Sequence, residues 1–240
     1  MSLMGSATMV FWHDVASGDD DYKDWHSNEH MDERVSVPGF LRGRRARAIK
    51  GEPQYFIMYE VDSIDVLTSA AYLDRLNDPS PWTGQVLARY RNSNRTLCGI
   101  AQSWGLGSGT LLTTCRMAPA SNRVGELRTW LENSFLEDCV SVGSIVGAHF
   151  LIADEVASHT ETEEKKLRDQ PDEIASWVLI LEGYDEREMR SIIETSLQTE
   201  QLEARGAATG SRTALYQLEH IAADEDIRNA RVGQVNGPKR

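Results

Sequence analysis

The sequence predicts an α+β protein made of two tandem ferredoxin-like βαββαβ units, packed sheet to sheet as an intramolecular α+β barrel. Three observations carry that expectation. Runs of period two and period 3.6 follow one another in the order β-α-β-β-α-β through the first half of the chain. The same order returns in the second half with matched markers: Gly39 and Gly43 answer to Gly143 and Gly147, Glu60 and Asp62 to Glu182 and Asp185, and Arg95-Thr96 to Arg212-Thr213. A sheet of this kind carries helices on one face only, so its bare face needs a cover, and a sister sheet supplies one.

The elements follow in order. Met9 to Ala16 reads as a strand that runs into a polar Gly18–Asp21 loop capping the first helix. That helix stops near Val37, because Pro38 disfavours helical geometry in the residue before it and Gly39 then turns the chain. Phe40 to Lys50 and Gln54 to Val61 are strands joined by the Gly51-Glu52-Pro53 turn. Ser63 opens a helix with Leu67, Ala70, Ala71, Leu73 and Leu76 as its stripe, and a short helical piece follows around Val86 to Tyr90. Asn94 to Trp104 is the fourth strand, and Gly105 to Gly109 is the linker. The second unit reads as strand Thr110–Met117, helix Val124–Cys139, strands Ile145–Ala153 and Trp177–Leu181, helix Arg187–Leu197 and strand Thr213–Ile221. The domain expectation is therefore unit 1 over 9–105 and unit 2 over 109–222, with an acidic insertion at 154–171 and a C-terminal tail at 223–240.

Composition narrows the function. The 240 residues, 40% hydrophobic and 26% charged, are those of an ordinary soluble globular chain able to bury a substantial core. A net charge of −12 argues against nucleic acid or an anionic membrane as partner. Cys98, Cys115 and Cys139 form no C-x-x-C pair, which speaks against a zinc knuckle or redox dithiol and fits a reducing cytoplasm. No apolar run approaches the ~18 residues of a membrane span, and the N-terminus lacks the order of a signal peptide. Met1-Ser2-Leu3 before Met4 reads as a vector remnant and is left out of the fold reasoning.

The chemistry concentrates in the first helix. Asp24-Trp25-His26-Ser27-Asn28-Glu29-His30-Met31-Asp32-Glu33-Arg34, read as an α-helix, puts Tyr22, Trp25, His26, Glu29, His30 and Glu33 on one stripe. The spacing is that of a core-facing helix, yet imidazoles and carboxylates are costly to bury unpaired. Alignment of the two halves places Trp130 over Trp25, Leu131 over His26 and Phe135 over His30. Inward positions that are apolar in the second half carry imidazoles in the first. One half reads as site and the other as scaffold.

Trp25-His26-x-x-Glu29-His30-x-x-Glu33-Arg34, followed by Pro38-Gly39-Phe40 and an arginine-rich strand, resembles the dimeric α+β barrel superfamily, most nearly its EthD-like branch. That superfamily also holds antibiotic-biosynthesis monooxygenases and stress-responsive A/B barrels. The resemblance implies a small organic ligand between sheet and helices of residues 9–104, with His30 matching the family's helix histidine.

Three chemistries compete for these residues. In the first, a cofactor-independent enzyme uses His30 as general acid or base, with His26 or Glu29 orienting it, because imidazole titrates near neutral pH. Tyr55, Tyr59 and Tyr72 would then donate hydroxyls, Arg44 or Arg45 would hold an anionic group, and Trp25 and Trp82 would form apolar walls of a substrate-binding pocket. The blander alternative makes the tyrosines sheet packing and the arginines a solvated strand face. In the second, His26-x-x-Glu29-His30 holds a metal or a haem, though the surrounding motifs of a zinc peptidase are missing. In the third, the pocket binds a ligand without transforming it. No cofactor, nucleic acid or membrane partner is expected; a small-molecule ligand is, and a homo-oligomer stays open.

Overall fold

In a computed structural model, residues 3–168 and 170–225 are described, and the rest of the expected tail lies outside them. Eight strands close into one barrel in the order β1 (Ala7–Val15), β3 (Tyr55–Val61), β2 (Phe40–Lys50), β8 (Arg212–Ala223), β5 (Leu111–Met117), β7 (Trp177–Gly183), β6 (Ile145–Ala153) and β4 (Tyr90–Gly105), which returns to β1. Every pairing is antiparallel. Each set of four strands has the ferredoxin-like order, so the expected two-unit architecture is the one adopted. The two sheets do more than face each other. They join edge to edge, β2 against β8 and β4 against β6, and leave no strand edge open.

Strand alternation divides the core into three. On β1, Val10 and Trp12 face the barrel interior, while Ala7, Met9 and Phe11 face the helices outside. The interior is apolar at its centre, with Phe56, Met58, Leu112, Val178, Ile180 and Tyr216 packed together. Leu3 is buried among them, which corrects its exclusion from the fold. Outside the first four strands lie α1 (Asp19–Trp25), α2 (Met31–Val35), α3 (Ala70–Asn77) and α4 (Pro81–Leu87). Outside the other four lie α5 (Val124–Trp130), α6 (Leu136–Ser141), α9 (Glu186–Ser196) and α10 (Thr199–Ala204). The acidic insertion forms two short helices, α7 (Glu155–Ser158) and α8 (Glu163–Lys166).

Several local readings change. The helix expected from Ser63 is a 3₁₀ turn over Ile64–Thr68, and α3 starts afresh at Ala70 with Ser69 as its cap. Tyr72 and Leu76 then face inward, while Ala70 and Ala71 are exposed. The strand registers pair Arg42 with Glu60 and Gly147 with Glu182, so β2 corresponds to β6 with an offset of 105. The glycine markers, offset by 104, run one residue out of step.

Near one end of the barrel interior, a polar network replaces the apolar filling. Arg44 makes ion pairs with Glu60 at 3.0 Å and Glu182 at 2.9 Å, and both carboxylates are fully buried. Arg42 adds a second cation to Glu60 at 2.8 Å, and His149 lies 3.4 Å from Glu182. Burial alone would raise the Glu182 carboxyl, but Arg44 and His149 outweigh it and hold it at about 2. Removing one member of such a network leaves a buried charge uncompensated. Arg44→Met is expected to cost about 3–5 kcal/mol in urea unfolding, and an effect below 1 kcal/mol would show that the carboxylates are satisfied without it. Because the folded-state carboxyl lies below its ordinary 4.5, its stabilisation is present above that value and lost as pH falls from about 4.5 to about 2. Glu182→Gln is expected to flatten the unfolding curve over that window.

Candidate functional site

The first helix begins at Gly18, whose φ of 73° suits glycine, and Asp19, Asp20 and Asp21 in its first turn favour the positive end of its dipole. Between α1 and α2 the chain makes one π-helical turn, His26–His30. A π turn inserts one extra residue and rotates everything after it. The buried stripe therefore runs Tyr22, Trp25, His26, His30, Met31, Arg34 and Val35. Glu33, expected on the stripe, is half-buried at its flank, and Arg34 takes the inward place. The second half has the same turn at Leu131–Phe135, with Leu131 at the position of His26 and Phe135 at that of His30. The turn thus belongs to the repeated frame, and only the side chains on it differ.

His26 and His30 look into a cavity of about 20 Å³ between the helix and the strands. Met9, Phe11 and Ile57 form its apolar floor, and Tyr59, Tyr72, Arg34 and Arg95 its polar wall. Such a space holds about one water, against roughly 300–1,000 Å³ for a ligand pocket. Five buried polar atoms on the lining residues have no hydrogen-bond partner: His26 Nδ1, His30 Nδ1, Arg34 Nη1, Tyr59 OH and Arg168 Nε. Nearby, His13 on β1 is stacked on Tyr90 at 4.0 Å, and neither of its ring nitrogens is paired. Burial pushes all three histidines well below their ordinary range, and neighbouring cations add to it: Arg45 on His26, Arg34 on His30 and Arg168 on His13. They are neutral imidazoles at pH 7. Burial also raises the Tyr59 phenol, which stays a hydrogen-bond donor.

The other residues singled out by sequence divide. Trp25 stacks 4.3 Å from His30 and donates to Thr83 Oγ1 at 3.1 Å. Tyr72 lines the cavity, its hydroxyl accepting from Arg95 at 3.0 Å. Glu29 makes no bond to an imidazole; its carboxylate accepts from Ser80 Oγ at 2.5 Å and Thr83 Oγ1 at 3.3 Å, tying the helix to the start of α4. Tyr55 donates to Asp19 at 2.5 Å and Trp82 to Asp21 at 3.1 Å, both outside the cavity lining. Arg44 points into the barrel and Arg45 out of it, since successive strand residues alternate in direction. Neither is a solvated face: Arg45 bonds the Lys23 carbonyl at 3.1 Å, Ser27 Oγ at 3.0 Å and Glu219 at 3.2 Å, clamping the π turn to the sheet.

Sequence reasoning missed Arg34, Arg95, Glu164, Arg168 and His13. Arg34 was hidden by the π turn. His13 continues the outward alternation Met9, Phe11, and that spacing could have flagged it. Glu164 and Arg168 arrive from the insertion, and Glu164 forms an ion pair with Arg34, 130 residues away in sequence.

Among the described residues, no group of three His, Cys, Asp or Glu is arranged to hold a metal. A haem does not fit beside His30, whose flanks are filled by Trp25 at 4.3 Å and His26 at 5.7 Å. Wider hollows open elsewhere, of about 460 Å³ around Arg116 and about 350 Å³ beside Trp130, but neither brings histidines together.

No family model matches the sequence, and no curated protein matches it. Solved structures do. An anthrone oxidase-like protein superposes with a TM-score of 0.62 at 9% identity, covering 92% of this chain and 94% of its own. A candidate monooxygenase from Fusobacterium nucleatum gives 0.56 at 10% identity, covering 92% and 96%. Another from Lactobacillus acidophilus gives 0.55 at 8%, covering 91% and 97%. The α+β barrel fold that the helix motif implied is the fold of the whole chain.

The histidine chemistry can be read as stability. A histidine whose folded pKa lies below 6.5 costs nothing above that value and destabilises as pH falls through it. Replacing His26→Leu and His30→Phe together, the residues of the second half, is expected to reduce the loss of stability between pH 6.5 and 5 by up to about 2.7 kcal/mol per pH unit. Urea midpoints at several pH values measure it. An unchanged slope would mean that the imidazoles take up protons freely in the folded protein.

Proposed function

We propose that the protein binds a small aromatic or carbonyl-bearing molecule in the first-half site and acts on it with His30 as general base, without a cofactor. The observation behind this reading is that five buried polar atoms without a hydrogen-bond partner belong to residues lining one cavity. Buried polar groups are normally hydrogen-bonded, and each one left without such a bond costs roughly 1–3 kcal/mol. Five in one place ask for a partner offering several hydrogen-bonding groups.

The chemistry follows from protonation states. His30 is neutral and able to take a proton at Nδ1 from an acidic C–H whose carbanion is conjugated to a carbonyl. The enolate oxygen formed would accept from Tyr59 O–H and Arg34 Nη1, donors fixed before the substrate arrives. The anion in turn stabilises the imidazolium, offsetting the burial that keeps His30 uncharged beforehand. His26 lies 5.7 Å from His30 and narrows the site to a flat molecule.

We assign the chain to the EthD-like branch on the Trp25-His26-x-x-Glu29-His30 motif, with the unit boundaries of 9–105 and 109–222 and a place in a reducing compartment, which its three free, buried cysteines suit. Among the described residues, no helix is long and apolar enough to cross a membrane.

The anthrone oxidase-like neighbour supplies a probe. Exchange of anthrone's methylene protons with deuterated water, followed by NMR, is expected to be catalysed by the wild type and slowed by roughly 10²–10⁴ in His30→Phe with the circular dichroism unchanged. Equal rates in both would remove His30 from the chemistry. Tight binding without exchange would leave a ligand-binding module.

A further inference from the structure

The cavity at the histidines is closed by a segment from the other half of the chain. Between β6 and β7 the chain runs through α7 and α8, and Glu164 and Arg168 from this stretch line the cavity beside His30. The corresponding connection in the first half, between β2 and β3, is a short turn at Gly51–Gln54, which leaves the second half's helices uncovered. Among the described residues, the half with His26 and His30 on its first helix is the one that has this cover.

Glu164 is 4% exposed, and its carboxylate meets Nη2 of the buried Arg34. The fork is half used: Arg34 Nη1 is left without a hydrogen-bond partner, with Glu33 at 3.6 Å on the outer side. Arg95 is also buried, and its guanidinium donates to the Tyr72 hydroxyl rather than to a carboxylate. The segment is held by Ala157 and Leu167 packing on the core, by the Arg168 guanidinium 5.0 Å over the Phe11 ring, by Glu163 N donating to Asn77 Oδ1 at 3.1 Å and by bonds of Ser158.

We propose that Glu164 occupies the position of a ligand's carboxylate, so that the site takes a small aromatic carboxylate, which displaces Glu164 from Arg34 and lifts the 155–168 segment. This rests on the reading of the first-half site as a ligand site. A neutral ligand makes the exchange only weakly, because withdrawing Glu164 leaves the buried Arg34 with Glu33 alone, at 3.6 Å. A ligand carboxylate restores the charge and can engage both Nη1 and Nη2 in parallel, which Glu164 does not. The aromatic ring then enters the cavity lined by Phe11, Ile57 and Tyr59, where the lifting of Glu164 and of Arg168, now 5.0 Å over Phe11, makes room.

The test uses 2-naphthoate and its uncharged isostere 2-naphthamide. In the wild type, naphthoate is expected to accelerate tryptic cleavage after Lys165 and Lys166, while naphthamide leaves it unchanged. Calorimetry is expected to show naphthoate binding at least tenfold tighter to Glu164→Gln than to wild type, with no gain for the amide. Should Glu164→Gln fold poorly, naphthoate is expected to raise its melting temperature more than the amide does. Equal gains for both compounds, or naphthoate binding with the segment still protected, would overturn the proposal. If the amide binds at the histidines and the carboxylate does not, the substrate class is wrong while the site stands. Binding of neither compound to either form overturns both.

Discussion

One guanidinium in the barrel interior connects the two halves of this protein. Arg44 leaves β2 of the first half and reaches Glu60 on its own sheet and Glu182 on the other. Those carboxylates occupy equivalent places in the two units, and the position equivalent to Arg44 is His149, beside Glu182. A twofold frame has thus been filled with unlike side chains, so that one strong base spans both acids. Ion pairs so deeply buried add little net stability, but they penalise any shift in which the charges lose one another. A one-residue slip of β2 would turn Arg44 outward and Arg45 inward. The network fixes register where two sheets of separate origin must interlock.

The same unequal filling of an equal frame produces the site. Both halves make a π turn at the same point of the first helix. In the second half it carries Leu131 and Phe135, and the layer packs as an apolar core. In the first it carries His26 and His30 over a sheet of tyrosines and arginines, and the layer retains unpaired polar atoms. The second half bears the structural burden, and the first gives up some packing to hold neutral imidazoles beside fixed cations.

Much of this was legible in the sequence. The apolar, branched and aromatic runs of β1, β3 and β7 and the recurrence of the element order yielded the strands, the two units and the barrel. Self-comparison of the chain paired Leu131 with His26 and Phe135 with His30 correctly. What escaped follows from chain geometry that composition does not encode. A π turn has no distinct pattern of apolar residues, so the helical spacing puts Glu33 on the inward stripe and leaves Arg34 off it. The face of Arg44 depended on strand phase within an arginine run, where every second residue looks alike. Glu164 and Arg168 sit in a stretch whose acidic, helix-prone character marks solvent exposure, and only the folded chain brings it against a helix far away in sequence.

Closure of the barrel also sets the order in which it can be made. The strand β8 that seals β2 is the last strand among the described residues, and β4 meets β6 only after the linker has been crossed. While the chain emerges from the ribosome, the first sheet exists with both outer strands unpaired and its interior face bare. The segment over the histidines has not yet been synthesised at that stage. Sheets with free edges and apolar faces are the species that aggregate during synthesis. The architecture therefore places its period of greatest vulnerability in the nascent chain, and the first half gains its edge protection and its cover only once the second half has been synthesised.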